Sequence, residues 1–120
     1  MTIDIPGVDV NKGLELCDGD MGIYLQAMRI YVSKIPAALD KMRNVSEGTL
    51  KDYTISVHGV KGTSEYIGAE EARKTAKQLE AMAKEGNLTG ILAQNDAFIK
   101  YTEGLVSNIR SWLEKNDTRK

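Results

Sequence analysis

Apolar residues in this chain recur at every third or fourth position, a spacing that restricts the chain to packed helices. The two-residue alternation that a half-buried sheet requires is scarce. Only two prolines, Pro6 and Pro36, interrupt the 120 residues, and the strong helix formers Ala, Leu, Glu, Lys, Met and Arg are plentiful. No internal repeat, low-complexity run or long linker divides the chain, so residues 1–120 are expected to form one domain. Its length and 42% apolar content suffice for a hydrophobic core without disulfide or metal staples.

The opening segment, residues 1–8, reads as extended and ends in a turn around Gly7. Asp9 can cap a short helix to about Cys17, with Val10, Leu14 and Cys17 on one face. Asp20 can cap a second helix from about Met21 to Met42, with Leu25, Met28, Val32, Ile35, Leu39 and Met42 along its stripe. Pro36 lies inside that segment and removes a donor to Val32, so a kink or break is expected there. Ser46 and Thr49 mark a third start, and Leu50, Val57, Val60, Ser64 and Ile67 align up to a stop at Gly68.

Ala72, Ala76, Leu79 and Ala83 share a face of the fourth helix, which Gly86-Asn87 closes. The last helix opens at Leu88 or Thr89 and carries Leu92, Ile99, Leu105, Val106, Ile109, Trp112 and Leu113 inward, with 114–120 fraying. Short connections between long helices imply an all-α, up-and-down antiparallel four-helix bundle with an additional short N-terminal helix.

Sixteen basic and seventeen acidic residues leave a net charge of -1, which supplies no uniform field for nucleic acid or anionic lipid. One cysteine, Cys17, excludes an internal disulfide, and one histidine, His58, excludes a two-histidine metal site. No apolar run approaches the ~20 residues of a membrane span, and the N-terminus lacks a secretory signal pattern. A cytoplasmic location is expected, with no nucleic-acid binding and no membrane insertion.

Chemistry therefore centres on His58. Lys61 and Gly62 follow at i+3 and i+4 and share its helical surface. With Val57 and Val60 facing inward, His58 falls at the edge between core and solvent. Gly59 and Gly62 each cost the helix about 0.8–1 kcal/mol against alanine. They clear side chains from around the imidazole, and Lys61 offers a charge to an anion held on it. The same spacing also fits a partly buried polar histidine, a solvated lysine and glycines that serve helix crossing.

The run His58-Gly59-Val60-Lys61-Gly62-Thr63-Ser64-Glu65-Tyr66-Ile67-Gly68-Ala69 resembles the signature of histidine-containing phosphotransfer (HPt) domains. The resemblance continues through Ala72, Ala76, Leu79-Glu80 and Ala83-Lys84. Upstream it takes in Ile5-Pro6-Gly7-Val8-Asp9 and Gly19-Asp20-Met21-Gly22-Ile23-Tyr24-Leu25. Gly59 stands where alanine or threonine is commoner, and Val60 where leucine is usual; neither removes a group that the chemistry requires.

The resemblance implies a carrier with neither ATP binding nor autokinase activity. His58 would accept a phosphoryl group from a receiver-domain phosphoaspartate and pass it to another receiver in a two-component phosphorelay. Lys61 would neutralise phosphoryl oxygens, Gly62 would give access, and Glu80 would orient the imidazole through Nδ1. No cofactor is implied for this chain, Mg²⁺ belonging to the receiver. The implied docking surface comprises Leu14, Met21, Tyr24 and Leu25, with Lys84 at its edge. Receivers are the implied partners, a hybrid sensor kinase is a further one, and the carrier is expected as a monomer.

Three other classes fit parts of the pattern. A helical adaptor bundle would keep the fold without phosphotransfer. A helix-turn-helix reading of the Gly68 turn meets a following helix that carries Glu70, Glu71 and Glu80 beside its basic residues. The dimerisation domain of a sensor kinase usually places an acidic residue directly after its histidine, where this chain has Gly59.

Overall fold

A computed structural model describes residues 4–116 as an all-α bundle. The helices are α1 (Val10–Leu16), α2 (Met21–Met42), α3 (Leu50–Ile67), α4 (Glu70–Lys84) and α5 (Leu88–Asn116), with a single 3₁₀ turn at Glu47–Thr49. The four long helices pack cyclically, α2 on α3, α3 on α4, α4 on α5 and α5 on α2. The short α1 lies against α3 and α2 at one end. This is the four-helix bundle with an added N-terminal helix that the periodicity predicts.

Local chemistry sets the starts. Asp9 accepts from the backbone N–H of Lys12, and Asp20 from that of Ile23, each capping its helix. The third start is tighter than expected: the Ser46 N–H donates to Thr49 Oγ1, and the 3₁₀ turn hands over to α3 at Leu50. Gly86 and Asn87 close α4 as expected, their N–H groups donating to the Ala83 and Met82 carbonyls, and Asn87 also opens α5 by accepting from the Gly90 N–H.

Pro36 does not break α2, which runs through it as one helix of 22 residues. The core stripe of α2 is also turned from the expected one. Tyr24 and Tyr31 are fully buried with Met28, Ile35, Leu39 and Met42, whereas Leu25 and Val32 are only partly covered. Tyrosine can occupy these positions because each hydroxyl finds a buried partner. Tyr24 donates to the carbonyl of Ile67 at 2.8 Å, and the Tyr31 hydroxyl bonds Ser64 Oγ at 2.9 Å.

At the opposite end of the bundle, Tyr53 donates to Asn95 Oδ1, and Asn95 Nδ2 donates to the Met42 carbonyl. A C-terminal carbonyl of α2 is thereby satisfied inside the core. On α5 the inward positions are Ile91, Asn95, Phe98, Ile99, Thr102, Leu105, Val106 and Ile109. Leu92, expected inside, is exposed, and the buried neighbour Ile91 takes its place. Residues 114–116, expected to fray, continue α5, while 117–120 and 1–3 lie outside the described residues.

The junction of α3 and α4 is the most constrained point. Gly68 adopts a left-handed conformation, φ 81°, with Ala69 N–H donating to Ser64 O and Gly68 N–H to Glu65 O, a Schellman closure. A Cβ on Gly68 would lie 2.1 Å from the Asp9 carbonyl oxygen. The Asp9 N–H in turn donates to the Gly68 carbonyl at 2.8 Å. Gly13 of α1 presses on the same place, where its Cβ would meet Tyr24 Cε1 at 2.4 Å and the Ile67 carbonyl oxygen at 2.7 Å. The N-terminal segment thus clamps the turn by backbone contact.

Replacing Gly68 by alanine should combine a left-handed penalty with a backbone clash and cost about 2 kcal/mol or more. Thermal unfolding should show this as a midpoint lowered by roughly 8 °C or more.

Candidate functional site

From the Gly68 turn α3 runs back to His58 and α4 runs forward to Glu80, and their packing brings the two side chains together. His58 Nδ1 lies 2.7 Å from Glu80 Oε2. Lys61 Nζ donates to Glu80 Oε1 at 2.6 Å, and Lys84 Nζ lies 3.4 Å from Oε2, one turn along α4. The carboxylate is buried, its side chain 5% exposed, while the His58 side chain is 65% exposed. His58 therefore stands further into solvent than the edge position expected from the spacing.

Burial by itself would raise the Glu80 carboxyl, because desolvation disfavours its charge. Hydrogen bonds from Lys61 and His58, together with their charges, outweigh it and hold the group down at about 2. Glu80 is therefore ionised at neutral pH. An ionised carboxylate only accepts hydrogen bonds, so in the Glu80 contact the proton belongs to Nδ1 of His58. In the neutral ring this leaves the lone pair on Nε2. The tautomer follows from the chemistry of the partner.

The site expectations divide cleanly. His58, Lys61, Glu80 and Lys84 come together as one cluster, and Gly62 is exposed beside it with nothing within 4 Å of an added Cβ. Among the expected docking residues, Tyr24 is a correction. It is fully buried with its hydroxyl on Ile67, because α2 turns its tyrosines and not Leu25 to the core. Leu14 and Leu25 are partly buried against the core, and Met21 is exposed at the start of α2.

The apolar surface beside the histidine comes from other residues. Ile23, Ile30 and Tyr66 are exposed and line a groove of about 380 Å³ between α2 and α3, with Gly62 and Thr63 on its α3 wall. Sequence reasoning missed Ile23 and Ile30, although both are apolar residues off the core stripe of their helix, the signal by which they could have been found.

Among the described residues no group of three or more His, Cys, Asp or Glu side chains is placed to hold a metal ion. No helix among them is long and apolar enough to cross a membrane. What the cluster offers is a solvent-facing imidazole held at one nitrogen by a buried anion, with two lysines alongside.

An all-α bundle that displays one oriented histidine on the outer face of one of its helices is the architecture of a phosphotransfer module. The chain belongs to the Hpt domain family, whose model matches residues 21–112. That family acts in phosphotransfer in two-component phosphorelays, typically with receiver domains. No curated protein and no solved structure matches the chain.

In the folded protein the Glu80 carboxyl is held at about 2, below its ordinary 4.5, so between these values the unfolded chain binds more protons. The stability this carboxylate contributes is full above pH 4.5 and is lost as pH falls towards about 2. Glu80→Gln lacks that component. Chemical denaturation across this window should show the difference between wild type and variant shrinking as pH falls.

Proposed function

We propose that His58 is the phosphorylated residue of a phosphorelay carrier, accepting the phosphoryl group from one receiver domain and delivering it to another. The observation that carries this reading is the Nδ1 bond to Glu80 on a ring that is otherwise in solvent. Nδ1 is occupied as a donor, so Nε2 is the nucleophile. Its lone pair forms the N–P bond as the P–O bond to the receiver's aspartate breaks, and the aspartate leaves as a carboxylate. The ring keeps its Nδ1 proton and gains positive character, which the Glu80 carboxylate supports.

Lys61 has a second role open to it. Its ammonium rests on Glu80 Oε1, and Lys61 follows His58 by one helical turn, so the ammonium would turn from the carboxylate towards phosphoryl oxygens on Nε2. A lysine suits this exchange because it acts as a point charge on a flexible stem. Lys84 is mostly exposed and makes the longest contact with Glu80, so it can remain as counter-ion when Lys61 turns outward. Charge stabilisation of the transferring group falls mainly to the receiver and its Mg²⁺; this chain contributes position.

The receiver would dock over the groove of Ile23, Ile30 and Tyr66 and the glycine-lined face of α3, which together give an apolar surface beside the ring. The carrier would act as a monomer in the cytoplasm and hold no cofactor of its own.

Incubation with isotopically labelled phospho-receivers tests the reading, with His58→Gln in parallel. Label on the wild type alone, stable in alkali and lost in acid, is the expected result. An unlabelled wild type across a broad receiver panel would favour a helical adaptor instead, and label on the variant would move the site elsewhere.

A further inference from the structure

We propose that Gly59 determines which receivers reach His58, an inference that rests on the carrier reading above. Gly59 follows His58 directly in α3 and is exposed. A Cβ added there meets nothing within 4 Å. Nor does the backbone require glycine, since Gly59 is not among the residues of positive φ and α3 is helical through it. Glycine inside a helix weakens it through chain entropy, and nothing within the molecule uses the space it leaves. The use lies outside.

Positions 55, 59, 62 and 66 follow the four-three-four spacing of one helical stripe. Ile55 and Tyr66 are 67% and 58% exposed and stand at its two ends, with Gly59 and Gly62 between them. The ends are about 16 Å apart along the axis, and a helix with its side chains is about 10–12 Å across. The stripe is therefore a saddle wide enough for one element of a partner to cross at backbone distance from α3. Thr63, the adjacent side chain that could narrow it, turns its hydroxyl back onto the Gly59 carbonyl.

This saddle borders the His58 ring and joins the groove of Ile23, Ile30 and Tyr66 through Gly62. In-line transfer needs the reacting atoms within about 3–3.5 Å, so the height of the saddle floor matters as much as its chemistry. A side chain at position 59 would hold a receiver that fits this bare floor away from Nε2, the more so the bulkier it is. Receivers that lay a bulky residue into the gap would be rejected first, and discrimination would come from a clash and not from a lost attraction.

The test compares wild type, Gly59→Ala, Gly59→Leu and the control Gly104→Ala. Gly104 is another exposed helical glycine with open space around it, remote from His58 on α5. Each alanine variant should raise the thermal midpoint by a few degrees. Transfer from the receiver panel should fall in the order Gly, Ala, Leu at position 59, reaching about tenfold or more with leucine, and stay unchanged with Gly104→Ala.

Phosphoramidate, which needs no docked protein and releases ammonia as its P–N bond breaks, should label His58 equally in all four. The proposal is overturned if Gly59→Leu accepts from every receiver at the wild-type rate, or loses transfer by the same factor with all of them. It is also overturned if phosphoramidate labelling drops in parallel, which would place the effect on the imidazole itself. A wild type labelled by phosphoramidate but by no receiver would instead overturn the carrier reading, and the role of Gly59 with it.

Discussion

The register between α3 and α4 is set at Gly68, where the chain reverses in a left-handed conformation against the backbone of Asp9. Two backbone hydrogen bonds close the end of α3, a third ties Gly68 to the N-terminal segment, and Tyr24 reaches across from α2 to the Ile67 carbonyl. These contacts leave little freedom for the two helices to slide. A shift of one residue rotates each side chain by about 100° and would part His58 from Glu80. The geometry of the His58–Glu80 pair is thus a property of a turn several helical turns away from it.

Given that register, a carboxylate enters the helix interface at Glu80, and its charge organises what surrounds it. A buried anion without partners is costly. Here Lys61, His58 and Lys84 all contact it, and it stays ionised in a nearly dry position. The imidazole is oriented as part of satisfying that charge. Burial on one side and exposure on the other produce a histidine that is held firmly at Nδ1 and open to solvent elsewhere.

Much of the bundle was legible in the sequence because three-and-four spacing and capping residues act locally. Asp9, Asp20 and Gly68 mark ends that the structure keeps. The face that each helix turns inward was less legible. Tyr24 and Tyr31 outrank Leu25 and Val32 on α2 because their hydroxyls find partners on α3, a fact of tertiary structure that periodicity does not contain. Pro36 is carried within α2 for a similar reason, since packing on both sides holds the helix where local propensity would interrupt it. His58, Lys61 and Gly62 could be read from their spacing on one helix, whereas Glu80 emerged only through family resemblance. Ile23 and Ile30 are marked in the sequence as apolar residues off the core stripe, but that they line one groove with Tyr66 emerges only once α3 is placed beside α2.

In the proposed carrier role, the Glu80 carboxylate fixes the proton of the neutral His58 ring on Nδ1 and leaves Nε2 to act as the nucleophile. His58 is the only histidine, so long-range ¹H–¹⁵N NMR of the imidazole can assign both nitrogens without ambiguity. The spectrum of the neutral ring should show a protonated Nδ1 and an unprotonated Nε2. A proton on Nε2, or rapid averaging between the two nitrogens, would show that Glu80 does not hold the ring in this tautomer.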